Sequence, residues 1–584
     1  MLRPSLCTFS IPVVLAFAAP IWSAGAVTAQ TESKVAANRF VPADSCFVMR
    51  FAAPAKWRDR FATTQVAKLG QSEALAPLLE GLRQQYEAGL EELRSSGEFD
   101  ADLVERFVGE YRGDVVLSFQ IGLNDIQQVL QRGGKLPFAL LVALTPDGAF
   151  DLGALTSAIE QASEKHAPAE AKLHDLTIGD TRLRLAEVGA DDAISVALPA
   201  MVDGSMVMAI GRGLEDHLEA ALAAEKRFTG DVGADRPFHV HDELEPLMKA
   251  LIDSTANNQL PFDPADIMTA IGLKSLRGLT VSFDAQDQRV AGEMRLGMAA
   301  KQRGLLQMLV PGTQKPKLLA AVPPTAEAWS VSSMSFAPVF DTVRTVWSAL
   351  DEVVPMTFDD AMAAFTEAAK VRLKEDLIDH LGNELLMIQD AESLQNFAAD
   401  DGDNPFAAMM SDCVYGVALK NGAAFGESLE KALRARGMHA GRKTEDYGTA
   451  KINQLRLGGL VQLEYVVTDD LLLLGIGKGE GTQRALRSVL DAKKSGDGGV
   501  PAAFAAQVAE LPGGWNGASM TPVAAVLHAM AAAFEAGAEE VGPDAHMVAE
   551  VARSMARDLK RLGLATMVST TYVDDSGLVS RFRW

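Results

Sequence analysis

The chain has 584 residues, with 54 Lys and Arg against 77 Asp and Glu, a net charge of −23, and 48% apolar residues. That apolar content excludes a disordered chain, and three cysteines exclude a small disulfide-stapled fold. The length exceeds what one hydrophobic core supports, so two domains are expected, and the acidity argues against nucleic acid, whose phosphates need clustered Lys and Arg.

Residues 1–29 read as a secretory signal. Arg3 precedes an apolar run over residues 9–19, and Ala24-Gly25-Ala26 and Val27-Thr28-Ala29 offer small-residue cleavage sites. The run is too short to span a bilayer. The alanine-rich stretch 523–534 is also short and contains His528, which fits a core helix. No transmembrane segment is therefore expected after signal cleavage, and the location is periplasmic or secreted.

The rest of the chain reads as one pattern written twice, at 30–316 and 317–584. Val41-Pro42 before a strand matches Val322-Pro323, and residues 113–120 match 382–389. Ile210-Gly211-Arg212-Gly213 matches Ile476-Gly477-Lys478-Gly479, and the final ten residues match 287–296. The spacing of matched landmarks drifts as loop insertions would make it. Each copy, at about 265 residues, is the size of a domain.

In chain order, copy one opens with a strand at 46–51. A helical stretch over 56–108 follows, in which Leu79, Leu82, Tyr86, Leu90 and Leu93 share one face. Strands are expected at 114–121 and 138–144, a helix at 152–163, and β-like runs at 176–188, 194–198 and 205–210. Asp203-Gly204 marks a hairpin turn between the last two. A helix at 214–224 and a closing hairpin at 276–284 and 290–296 complete the copy. Copy two repeats this, with a strand at 330–336 and helices from 339 to 381. Adjacent strand runs with helices between them predict an α+β class, two tandem pseudo-repeats, each a mainly antiparallel sheet covered by helices on one side. The polar or Gly-rich stretches 165–172, 398–404, 493–499 and 536–545 read as loops.

The signal, the Val41-Pro42-Ala43-Asp44 opening, the Gly113-Asp114 and Asn383-Glu384 elements, the strand–Ile-Gly–helix elements and the closing Asp575-Ser576-Gly577-Leu578 hairpin together resemble one family. It is a family of uncharacterised exported bacterial proteins with duplicated α+β units, carried as a domain of unknown function. The resemblance covers most of the mature chain. It implies an extracytoplasmic location and supplies no catalytic residues. Members are often lipid-anchored. This chain departs from that, because Cys7 precedes the apolar run and cannot bear a lipid.

Several residues invite a chemical reading. His239-Val240-His241-Asp242-Glu243, as a strand, would put His239 and His241 on one face, where two imidazoles and a carboxylate could hold a metal such as zinc. The competing reading is a short strand whose Asp242 caps the next helix. Gly475-Ile476-Gly477-Lys478-Gly479-Glu480-Gly481-Thr482 resembles a phosphate-binding turn but lacks the G-x-x-x-x-G-K-[ST] spacing. A tight turn with Thr482 as N-cap is the plainer reading. Asp400-Asp401-Gly402-Asp403-Asn404 misses the calcium-loop spacing. Leu578, Ser580, Phe582 and Trp584 alternate like a membrane-barrel terminus, but they read better as the strand closing copy two. Cys46 and Cys413 lie in β-like runs, and either a disulfide or two buried thiols fits them.

The hydrolase signatures G-x-S-x-G, H-E-x-x-H and C-x-x-C do not occur. No catalytic residue and no cofactor is expected. The leading expectation is a non-enzymatic interaction or scaffolding protein of the cell envelope, with envelope proteins as partners. The alternative is a carrier for an apolar ligand such as a lipid, for which Met201, Met206, Met208, Met294 and Met298 would line a flexible groove. A metal-dependent enzyme using His239 and His241 is the third reading.

Overall fold

A computed structural model describes residues 37–584, with its longer omissions at 122–137, 223–237, 249–261, 390–412 and 537–543. The signal at 1–29, the acidic run at 400–404 and most of the expected loop at 536–545 lie outside the described residues. The fold is mixed helix and strand with extensive antiparallel sheet. The chain divides into two compact units. The first takes the described residues of Met1–Gln71, Leu75–Ser254 and Arg277–Met294, and the second those of Ser72–Ala74, Thr255–Leu276 and Arg295–Trp584. These bounds differ from a single cut after residue 316. The reason is that helix Pro264–Ile271 packs against helix Ala337–Ala349 and the turn Gly304–Met308, within the second unit.

The first unit contains β1 (Phe47–Phe51), β2 (Val115–Ile121), β3 (Phe138–Leu144), β4 (Lys172–Ile178), β5 (Thr181–Val188), β6 (Ile194–Val202), β7 (Ser205–Arg212), β8 (Phe238–Glu243) and β9 (Leu276–Gln286). They pair antiparallel in the order β9–β8–β1–β2–β3–β7–β6–β5–β4. The strand β10 (Arg289–Met298) follows and pairs with β9. The single run expected over 176–188 is instead two strands, because Gly179, at φ 58°, turns the chain between β4 and β5. Asp203 and Gly204, at φ 48° and 83°, make the tight turn between β6 and β7 that their sequence predicts.

The second unit contains β11 (Ala328–Ser333), β12 (Leu381–Gln389), β13 (Cys413–Leu419), β14 (Lys443–Tyr447), β15 (Ala450–Leu457), β16 (Val461–Val467), β17 (Leu471–Gly477), β18 (Gly517–Thr521), β19 (Met567–Asp574) and β20 (Gly577–Arg583). Their order is β20–β19–β18–β11–β12–β13–β17–β16–β15–β14, all antiparallel. The C-terminal alternation at 578–584 thus belongs to a strand paired with β19.

Helices pack on both faces of each sheet, not on one as expected. In the first unit α1 (Ala101–Glu110) and α2 (Leu152–His166) supply Leu103, Phe107, Leu152 and Leu155 to a core with Val115, Val142, Leu144 and Met206. The alternate residues Val116, Leu141, Ala143 and Val207 face α3 (Leu214–Leu222), with Phe40 of the turn Ala37–Phe40 and Val41 just after it. In the second unit α4 (Gly422–Ala435) covers Val417, Leu419 and Leu472. On the other face α5 (Glu480–Ser495) covers Leu386, Val414, Leu471 and Leu473. A strand buried on both faces reads as near-continuous apolar sequence, as β3 and β17 do. That continuity hid the second layer of helices from sequence reasoning.

Start signals are local. Asp100 accepts from the N–H groups of Asp102 and Leu103 at 3.0 and 3.3 Å to begin α1, and Asn421 accepts from Ala424 at 3.0 Å to begin α4. α6 (Val523–Ala536) packs on α7 (Asp544–Arg561) through Ala531, Ala549 and Ala552. Among the described residues no helix is long and apolar enough to cross a membrane. Cys46 and Cys413 are buried and form no disulfide among the described residues, and Cys46 Sγ donates to the Phe119 carbonyl at 3.1 Å.

β17 offers a test of this layering. Leu473 is fully buried, whereas Ile476 is 38% exposed. Leu473→Ala is expected to cost about 2–5 kcal/mol and Ile476→Ala less than about 1 kcal/mol, read from urea unfolding. Equal losses at the two positions would contradict the burial pattern.

Candidate functional site

In the second unit a cleft of about 710 Å³ opens at one end of the strands. Its wall includes Ser333 at the end of β11, Asn383 and Glu384 at the start of β12, Leu419 at the end of β13, and Asp470 and Leu471 at the start of β17. Lys493 enters from the last turn of α5, and Val310, Pro311, Gln314, Lys315 and Lys317 form the remaining side. The turn Lys317–Ala321 is held down by Leu318 and Ala321, which join the core beneath α5.

The acids of this cleft already have partners. The Leu318 N–H donates to Glu384 Oε2 at 2.7 Å. Lys493 forms an ion pair with Asp470 and donates to Thr468 Oγ1 at 3.0 Å. Burial works to raise the Asp470 carboxyl, but the hydrogen bond and charge of Lys493, with help from Thr468, outweigh it and hold it below the usual carboxylate range. Asn516 is buried and donates its Nδ2 to the Val310 carbonyl, which fixes the cleft's inner wall.

The lysines opposite are exposed. The Lys315 ammonium lies 5.0 Å from the ring centroid of buried Trp515. Neither Lys315 nor Lys317 forms an ion pair among the described residues. An acidic chain therefore presents two unneutralised cations at a concave site.

The histidine pair lies elsewhere, in the first unit. His239 and His241 are both buried and share one face of β8, as their spacing predicts. Pairing places them beside Arg50 and Val48 of β1 and beside Ser282 and Thr280 of β9. His241 meets Thr280 Oγ1 at 2.9 Å through Nδ1 and Glu243 Oε1 at 3.2 Å through Nε2. Arg50 Nη2 donates to Asp114 Oδ2 at 2.7 Å, and the two side chains are only 9% and 13% exposed. The Ser118 hydroxyl is buried on the same face with no hydrogen-bond partner among the described residues. Asp242 is a strand residue paired with Phe47 and Leu279 rather than a helix cap, and burial pushes its carboxyl up. Among the described residues no group of three His, Cys, Asp or Glu side chains is placed to hold a metal ion.

The second unit carries apolar residues at the corresponding places. The match of Val41-Pro42 to Val322-Pro323 sets Val48 on Trp329, and the strand registers carry it across the sheet. Arg50 then falls on Val331, Ser118 on Ile388, His239 on Ala518, His241 on Met520 and Thr280 on Val568. One match made from the sequence shifts by this. Counted along the common strand order, Val116 takes the place of Leu386, one residue beyond the sequence match, and the histidines take the places of Ala518 and Met520. A one-residue slip turns every side chain to the other face, and the burial pattern excludes it.

The Gly-rich turn also changes character. Thr482 lies inside α5 and is buried, so it is not the N-cap. Gln483 of the same helix donates to Glu464 Oε1 at 2.9 Å, and Glu464 is a buried carboxylate. An acid in that position opposes an incoming phosphate. Of the methionines, Met206 and Met208 fill the core beneath α2, while Met201 and Met294 are exposed, so they do not form one groove.

Comparison of the chain with family models, with curated proteins and with solved structures finds no match. The cleft residues were missed by sequence reasoning. One signal was available, the Lys315-Pro316-Lys317 triplet just before Val322-Pro323 in a strongly acidic chain.

The buried Arg50–Asp114 pair gives a direct test. Arg50→Met strands a buried carboxylate and is expected to cost about 3–5 kcal/mol. Adding Asp114→Asn should recover much of that loss. Denaturant midpoints of the single and double variants measure it, and a loss below about 1 kcal/mol for Arg50→Met would contradict a buried, coupled pair.

Proposed function

We propose that this chain is an exported cell-envelope protein, periplasmic or secreted, that acts by binding rather than by catalysis. In this reading residues 1–29 are removed as a signal. The two units are pseudo-repeats of one α+β architecture, a reading supported by their common strand order. The second unit holds the binding function. The observation that carries the proposal is the cleft at the end of its sheet, where Lys315 and Lys317 stand unneutralised.

The first unit then serves as a structural companion with a polar inner face. The carrier reading for a lipid draws less support. An apolar ligand needs an apolar chamber, and this cleft mixes Val310, Leu318, Leu419 and Leu471 with Lys, Asn, Ser, Glu and Asp. The order of Arg3, the apolar run at 9–19 and the small residues at 24–29 supports the extracytoplasmic location.

Site-specific photo-cross-linking in cells tests this. A photoreactive residue replaces Gln314 at the cleft or, as a control, Glu80 on the exposed helix Ala76–Ser96. The expected result is reproducible capture of one or two envelope proteins from position 314 only, by a form whose intact mass lacks residues 1–29. Identical background from both positions, or capture by a chain retaining its first 29 residues in the cytoplasm, would contradict the proposal.

A further inference from the structure

Resting on the reading of the cleft as a binding site, we infer that it takes a small anionic ligand, carboxylate- or phosphate-bearing, whose charge is met by Lys315 and Lys317.

The charge balance inside the cleft is the main argument. Asp470 is paired with Lys493, and Glu384 accepts from the Leu318 amide, a bond that leaves its charge in place. Lys315, Lys317 and Lys493 outnumber Glu384 and Asp470, so the lining carries a net charge of +1, and Lys315 and Lys317 are its lysines without an ion pair among the described residues. Lysine ammonium groups are compact charges on flexible stems with three donors each, and they adapt to carboxylate or phosphate oxygens alike. The Trp515 ring under Lys315 restrains one ammonium at the rim without neutralising it.

Size is the second argument. About 710 Å³ suits a small molecule, in the range of about 300–1,000 Å³ typical of such sites. Polar neighbours extend the recognition. Asn383 and Ser333 line the wall and offer donors and acceptors for hydroxyl or amide groups of the ligand. The net charge of −23 repels anions at long range, so binding must come from contacts inside the cleft. Salt at high concentration competes with those contacts and weakens binding.

Isothermal titration of the intact mature protein with citrate, with pyrophosphate and with neutral erythritol tests this. The expected result is saturable binding of citrate, pyrophosphate or both, and none of erythritol. Which anion binds identifies carboxylate or phosphate as the group recognised. The double variant Lys315→Glu/Lys317→Glu should weaken binding by about ten-fold or more, while Lys68→Glu in the first unit leaves it unchanged. Circular dichroism and thermal melting confirm that both variants fold. Absence of saturable binding for both anions at millimolar concentration, or equal binding by the double variant, would overturn the inference. Its failure is separable from that of the broader reading. Capture from position 314 without anion binding defeats the inference alone, and anion binding without capture defeats the protein-partner reading alone.

Discussion

Burial of the central strands on both faces is the constraint on which the rest of the structure depends. Successive residues of a strand point to opposite sides. When each side meets its own helices, the pairing register is fixed twice over. Val116 and Leu386, both fully buried, show the effect, since each belongs to the core beneath α3 or α5 and would leave it on a one-residue slip. The registers of β1 with β2 and of β11 with β12 follow from this. So does the alignment of strand ends in the second unit, where β11, β12, β13 and β17 bring Ser333, Glu384, Leu419 and Asp470 to one place.

A shared strand order leaves the side chains free to differ. In the second unit the face that packs beneath α5 and helix Ala502–Val508 is apolar, with Val331, Ile388, Ala518, Met520 and Val568. Glu464 and Thr570 are buried exceptions on that face, and further polar groups edge the cleft at the strand ends. In the first unit the same strand positions hold Arg50, Ser118, His239, His241 and Thr280. Burying such groups is costly unless they pair. The Arg50–Asp114 pair and the contacts of His241 with Thr280 and Glu243 supply that pairing. The two units thus divide polar groups differently between sheet interior and sheet end.

Much of the strand layout was legible in the sequence. Alternation at Thr181–Leu185, the Asp203-Gly204 turn and the continuous apolar runs of β3 and β17 all carry local signals. The shared face of His239 and His241 also followed from their spacing. The double layer of helices did not, because a strand buried on both faces gives the same apolar run whichever helices cover it. Nor did the exact match of β2 to β12. Gly113-Asp114 looks like Gly382-Asn383, but likeness of residue type ignores which face a side chain occupies. The cleft was the least legible feature. Lys315, Glu384, Asp470, Lys493 and Asn516 are scattered through the second half of the sequence, and only the strand pairing collects them.

One strand order is built in both units, each with its middle strands covered on both faces. Hydrogen-exchange mass spectrometry on the intact protein checks this, since exchange reports local opening strand by strand. The account predicts matched profiles. Protection should be greatest in β3 and β7 of the first unit and in β13 and β17 of the second, and least in the exposed edge strands β4 and β14. Exchange in the middle strands of either unit as fast as in its own edge strand would contradict the account.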